Sequence, residues 1–243
     1  MAVLLNFSPN NVEIKKLTHP IRQIIFDCDG VLVDSEILAS QTVLAMLEPY
    51  GFVMNLTEYN EQFAGKVEED TLAIVQKEYH IDLPDDFLAQ LRLEIERRLD
   101  HELQPVPGMK ETVASISFPK AIVSNSRLAR VLSSLKTTGL DQLFGDDIFA
   151  AEMVERPKPA PDVYLYAARQ LDRKPEECLV VEDSRSGMVA ARQAGMPVIG
   201  FLGASHLPPN QREVAQEVGA WTTVANAQEL HELLDKVDKG FYC

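Results

Sequence analysis

The sequence predicts an α/β protein, a parallel sheet with helices on both faces that is interrupted after its first strand by an all-helical block. Three observations lead there. Short, unbroken apolar runs of the kind buried on both faces of a parallel sheet occur at residues 22–26, 120–124 and 178–182. From residue 109 onward these runs alternate with segments of helical periodicity, as expected when parallel strands are joined by helical crossovers. Residues 36–104, by contrast, show helical spacing and no convincing strand.

The elements follow in order. Residues 1–19 carry no clear periodicity and are expected to be a loosely attached lead-in. The first strand, 22–26, stops on Asp27-Cys28-Asp29-Gly30, with Val31-Leu32-Val33-Asp34 beyond. Asp34 is expected to cap the next helix or shape a hinge, and Ser35 is also able to cap it. Ile37, Leu38, Val43, Leu44 and Leu47 then recur at helical spacing until Pro49 and Gly51 end the run. Leu72, Ile74 and Val75 mark another helix, and Phe87, Leu88, Leu91, Ile95 and Leu99 a further one, with Arg92, Arg97 and Arg98 on its exposed face. Pro105-Val106-Pro107-Gly108 closes the block as a punctuated linker.

Beyond it the spacing predicts a helix at 109–116, a strand at 120–124, a helix at 128–137 and an extended piece at 148–151. A proline-bound loop holding Lys158 comes next, then a helix at 162–171, the strand at 178–182 and a helix at 186–194. A strand at 197–201 and a final pair at 221–224 and 227–234 complete a Rossmann-like core. The expected division is a core of 20–35 and 105–243 with 36–104 inserted as a helical domain.

With 46% hydrophobic and 25% charged residues in a chain of 243, a substantial core is possible. The net charge of −14 argues against nucleic acid or an anionic membrane as partner, because both need clustered cations. Any phosphate site must therefore raise its own positive potential from a metal, a lysine or backbone amides. Cys28, Cys178 and Cys243 are an odd number at wide spacing and read as reduced thiols. No apolar stretch approaches the roughly 18 residues that span a bilayer, and residues 1–19 lack the features of a secretory signal. A cytoplasmic monomer is the expectation.

Ligands of open parallel sheets bind at the carboxyl ends of the strands. If the three apolar runs are neighbours, that edge collects Asp27, Asp29, Ser124, Asn125, Glu182 and Asp183, with Lys158 reaching in from its loop. So many carboxylates repel one another unless a cation lies among them, and an oxygen-only donor set favours Mg²⁺. Such a site suits phosphoryl transfer: one carboxylate is able to attack phosphorus and another to exchange protons with the leaving and attacking oxygens. Each residue also has a plainer reading. Asp27 to Gly30 is an ordinary turn composition, Ser124 a helix cap, Glu182-Asp183 an acidic pair favoured at a helix start, and Lys158 a solvated loop lysine, though its flanking prolines fix that loop. Strand alternation points Cys28 away from the face shared by Asp27 and Asp29.

Asp27-x-Asp29-Gly30-Val31-Leu32-Val33-Asp34, the strand ending in Ser124-Asn125, Lys158-Pro159 and Glu182-Asp183-Ser184 resemble the four motifs of the haloacid dehalogenase superfamily in their usual order. The helical insertion resembles the cap of its β-phosphoglucomutase-like sugar-phosphate phosphatases, and the resemblance spans residues 22–234. It implies Asp27 as nucleophile and Asp29 as general acid and base, the backbone carbonyl of Asp29 also touching Mg²⁺. It implies Ser124, Asn125 and Lys158 as phosphoryl-binding groups, and Asp27, Asp183 and Glu182 as metal ligands, Glu182 either directly or behind the ligands. Lys66, after Phe63-Ala64-Gly65, resembles the cap loop that meets substrate.

The implied activity is hydrolysis of a small phosphorylated metabolite, a sugar or sugar-acid phosphate of 6-phosphogluconate-like or phosphoglycolate-like kind, through an aspartyl-phosphate. Asp29 argues against dehalogenation, since true dehalogenases of the superfamily lack it. A phosphosugar mutase is the alternative, but those enzymes carry a histidine early in the first cap helix where this chain has Ala39. A phosphorylatable signalling module is a further alternative, and such modules lack a helical block of this size. The histidines at 19, 80, 101, 206 and 231 fall in no motif.

Overall fold

In the computed structural model of the chain, residues 16–63 and 66–242 are described. Most of the expected lead-in, together with Ala64, Gly65 and Cys243, lies outside them. The apolar runs form β1 (Gln23–Phe26), β2 (Lys120–Ser124), β3 (Ile148–Ala150), β4 (Cys178–Glu182), β5 (Val198–Phe201) and β6 (Thr222–Val224). They make one parallel sheet in the order β3-β2-β1-β4-β5-β6. Every residue of β1 and β4 is buried, which is why these strands read as continuous apolar runs without alternation.

Alternation reappears in which face each residue packs. Ile24, Phe26, Ile122, Leu179 and Val181 share a cluster with α5 (Met109–Ser115), α6 (Leu128–Thr138) and α10 (Ala227–Asp238). Ile25, Val123, Val180 and Val198 pack with α7 (Asp162–Gln170), α8 (Arg185–Gln193) and α9 (Gln211–Val218). The chain leaves β1 for β2 and β3 on one side and returns to β4 on the other. This reversal of strand order opens a crevice at the carboxyl ends of the central strands.

Between β1 and β2 lie α1 (Ser35–Leu47), α2 (Leu56–Phe63), α3 (Glu68–Glu78) and α4 (Phe87–Glu102). Leu38, Val43 and Leu47 of α1 join Leu91, Ile95 and Leu99 of α4 in one apolar cluster, and Phe52 sets its ring edge-on to Phe63 and Tyr79. The chain enters and leaves this block side by side, with Asp34 N donating to Gln104 O at 3.1 Å and Val106 N to Leu32 O at 3.0 Å. A second tie runs from α4 to α6: Arg130 donates to Glu96 at 2.6 Å and Asp100 at 2.7 Å, and Ser133 donates to Asp100 at 2.7 Å.

Two helices, α2 and α9, have no counterpart in the element assignment made from periodicity. Helix α9 buries only Ala215 and the polar Gln211 fully, so its apolar stripe is too thin to register. Of the two roles expected of Asp34, capping is not seen: it occupies the N-cap position of α1 without a capping bond, and one carboxylate oxygen accepts from Ser205 Oγ at 2.5 Å. Arg98 is not a solvated face residue either, since its guanidinium donates to Thr42 Oγ1 at 3.0 Å and to Glu102. Among the described residues no helix is long and apolar enough to cross a membrane.

Magnitudes indicate what holds the helical block together. Leu91 is fully buried, so Leu91→Ala is expected to cost about 2–5 kcal/mol through lost transfer energy and a cavity. Arg130→Ala, whose carboxylate partners are exposed, should cost about 1 kcal/mol or less. Urea unfolding of the two variants checks that ordering.

Candidate active site

The parallel register sets the geometry. Phe26 pairs with Ile122 on one side and Val181 on the other, so the next residue of each strand stands at the same edge. Asp27 is there, its backbone N–H still donating to Val181 O at 3.0 Å while its carboxylate has left the sheet. Lys158 enters from the loop before α7 and places its ammonium among three acceptors: Asp27 Oδ1 at 2.7 Å, Glu182 Oε1 at 2.7 Å and Val123 O at 2.8 Å. Its three donors are thereby used, and the side chain is 3% exposed. Asn125 fixes the loop in place, accepting from Lys158 N at 3.0 Å and donating to Lys158 O at 3.1 Å.

Glu182 is fully buried and fully engaged. Its Oε1 also accepts from Tyr164 Oη at 3.0 Å, and its Oε2 accepts from the backbone N and Oγ of Ser184. The first turn of α8 makes room for it: a Cβ on Gly187 would stand 1.6 Å from Glu182 Oε1. Gly30 serves the same purpose for Asp183. Its φ of +78° suits glycine, and a Cβ there would stand 1.9 Å from Asp183 Oδ2.

Asp29 is held separately. Ser35 Oγ donates to its Oδ1 at 2.7 Å and Ser126 Oγ to its Oδ2 at 2.7 Å, with Ser124 Oγ at 3.4 Å. Ser35, expected as a cap, thus spends its hydroxyl on Asp29. Ser124 accepts from Ser126 N at 3.0 Å and does not cap α6. Cys28 is fully buried, and burial pushes its thiol well above the ordinary range, which removes it as a nucleophile.

The charge balance is uneven. Asp27, Glu182 and Asp183 bring carboxylate oxygens within 4.8 Å of one another, against one ammonium. Burial first, and then Glu182, raise Asp27 to about 8 while Lys158 opposes them. Burial, with Glu182 and Asp27, likewise holds Asp183 well above the usual carboxylate range. Burial works against the Lys158 ammonium, but Asp27 and Glu182 outweigh it and hold the lysine well above its ordinary range. The carboxylates with open oxygens are Asp27 and Asp183, and this buried excess of negative charge fits a divalent cation.

Sequence reasoning missed five groups at this edge. Ser126 was detectable, two residues beyond Ser124 on the same loop. Ser35 was noticed for another role. Tyr164, Gln211 and His206 carry no local signal, since each reaches the site only through packing: Gln211 Nε2 donates to Asp183 O, and His206 Nε2 stands 3.5 Å from Asp183 Oδ2. Lys66 is not at the sheet edge. It lines a cleft of the helical block together with Glu36, Tyr59, Asn60 and, from the core, His206.

The profile of the haloacid dehalogenase-like hydrolase family matches residues 24–201. The chain is 29% identical to 6-phosphogluconate phosphatase of Escherichia coli over 211 residues, 86% of this chain and 94% of that protein. It is 28% identical to a phosphorylated carbohydrates phosphatase of Thermotoga maritima over 218 residues, 88% of this chain and 98% of that one. Among solved structures, a HAD family hydrolase of Deinococcus radiodurans with bound phosphate and sodium superposes with a TM-score of 0.83 at 32% identity, covering 90% of this chain and 97% of that one.

The raised carboxylates carry a stability consequence. In metal-free protein the folded chain keeps a proton on Asp27 up to about pH 8, whereas the unfolded chain releases it near 3.8. The folded state therefore binds more protons across that interval, and stability should fall as pH rises through it. Urea midpoints in EDTA should decline over this range. A divalent cation at about 100 times its Kd should restore about 2.7 kcal/mol, most strongly at the alkaline end; midpoints indifferent to the cation would count against the acidic cluster as its site.

Proposed function

The chain belongs to the haloacid dehalogenase-like hydrolase family and is a phosphatase of small phosphorylated metabolites, and from that premise we propose how its residues divide the reaction. Asp27 attacks the phosphorus of a bound sugar or sugar-acid phosphate. The bond from phosphorus to the alcohol oxygen breaks, and Asp29 delivers a proton to the departing alkoxide. Asp29, now ionised, takes a proton from water as that water attacks the phosphorus of the aspartyl-phosphate, and phosphate leaves Asp27 free again. The observation that carries this reading is the convergence of Asp27, Asp29, Ser124, Lys158 and Asp183 on one sheet edge, with Lys158 already hydrogen-bonded to Asp27.

Lys158 and Ser124 meet the phosphoryl oxygens, and Asn125 supports them by fixing the Lys158 loop. Mg²⁺ would be held by Asp27, Asp183 and the Asp29 backbone carbonyl, and when bound it supplies charge neutralisation at the phosphoryl group. Glu182 stands behind these ligands, where its oxygens orient Lys158. Ser35 and Ser126 each donate to one oxygen of the Asp29 carboxylate and so fix the proton donor in place.

Residues 36–104 act as a cap that closes over the substrate about the paired crossings near Asp34 and Pro105. Lys66 makes no ion pair with a described residue and meets an anionic group at the far end of the substrate. Ala39 lines the same cleft and offers no proton to a sugar hydroxyl, which favours release of phosphate over its return to a second hydroxyl.

Purified protein should release phosphate from p-nitrophenyl phosphate and from 6-phosphogluconate with Mg²⁺ and not with EDTA. Asp29→Asn should lower kcat by about 10²–10⁴. Asp27→Asn should abolish turnover and leave acid-quenched protein without bound phosphate; turnover retained in that variant would overturn the assignment of the nucleophile.

A further inference from the structure

We infer that Glu36 is a specificity-determining residue: it accepts a hydrogen bond from a hydroxyl on the carbon next to the phosphoester and repels substrates whose next carbon is a carboxylate. The inference deepens the phosphatase reading above and rests on it. Glu36 directly follows Ser35, whose hydroxyl is 2.7 Å from Asp29 Oδ1, and it lines the cleft that His206, 3.5 Å from Asp183 Oδ2, also lines. It lines the cleft together with Lys66 and remains solvent-accessible there. Glu36 makes no hydrogen bond or ion pair with a described residue, so its acceptor oxygens are open.

An acid in the first turn of a helix is favoured by the helix dipole alone. Glu36 is exposed, but it also lines the cleft, in the field of other carboxylates. The surrounding protein, then Asp29 and Glu68, raise it to about 7.

The substrate's own geometry then sorts the sugar-phosphate class. The alkoxide oxygen must lie at Asp29, so the carbon bearing it and its neighbour lie next to Ser35-Glu36. In 6-phosphogluconate or a polyol phosphate that neighbour carries a hydroxyl, a donor to Glu36. In phosphoglycolate it is a carboxylate, which meets like charge at close range. Lys66, on the same cleft, is left for a distal anion such as the carboxylate of a sugar acid.

The test compares glycerol 3-phosphate with phosphoglycolate, substrates of similar size that differ at that carbon, with p-nitrophenyl phosphate as a third. Wild-type protein should prefer glycerol 3-phosphate at least tenfold in kcat/KM. In Glu36→Gln that preference should shrink at least tenfold, mostly through KM, with phosphoglycolate improving in absolute terms; Glu36→Ala should move it the same way. A preference unchanged in both variants, or a parallel loss on all three substrates, overturns the inference and leaves the phosphatase reading intact if p-nitrophenyl phosphate is still hydrolysed with Mg²⁺. Wild-type protein inactive on all three would overturn both.

Discussion

One buried ammonium organises this molecule. Lys158 is almost out of solvent and gives all three of its protons to Asp27, Glu182 and a carbonyl of β2. Enclosing a lysine would be untenable without those acceptors, and enclosing Glu182 would be untenable without the lysine. Removing one partner of such a buried pair typically costs about 3–5 kcal/mol, because the other is left charged and unpaired. The pair therefore constrains everything around it: Gly187 must lack a Cβ, Ser184 must turn both its amide and hydroxyl toward Glu182, and Asn125 must clamp the loop that delivers the lysine.

That constraint is also what leaves the site poised. Lys158 offsets one of the carboxylates in the cluster, and Glu182 has both oxygens committed to protein donors. Asp27 and Asp183 keep unused oxygens in a place where burial opposes their ionisation. A divalent cation and a phosphoryl dianion complement each other there. The local field is not made by the overall charge of −14, which would repel a phosphate, but by the few groups fixed within a few ångströms of the reacting atoms.

The helical block gives the site its second wall. Its chain crossings run side by side through Asp34 and Gln104, so the block is joined to the core by two adjacent strands of chain and packed against it through the α4 and α6 contact. The buried carboxylates and the ammonium sit at the sheet edge, while Glu36 and Lys66 of the block line the cleft.

The strands, their parallel arrangement and the edge they share were determined by the sequence itself. Runs such as Ile24-Ile25-Phe26 and Leu179-Val180-Val181 are apolar throughout only if both faces are covered, and their abrupt ends on Asp27 and Glu182 mark where the chain leaves the sheet. Asp27, Asp29, Ser124 and Asp183 were legible for that reason, and Lys158 through the prolines that bound its loop. Helix α9 was not, because Ala215 and Gln211 make too narrow a stripe for periodicity to reveal. Nor were Tyr164 against Glu182, Gln211 and His206 beside Asp183, or the diversion of Ser35 from capping to Asp29. Only the tertiary structure decided these, since a hydrogen bond between residues far apart in the chain depends on how helices seat against the sheet. Local sequence limits which groups a segment offers, but packing chooses which of them meet.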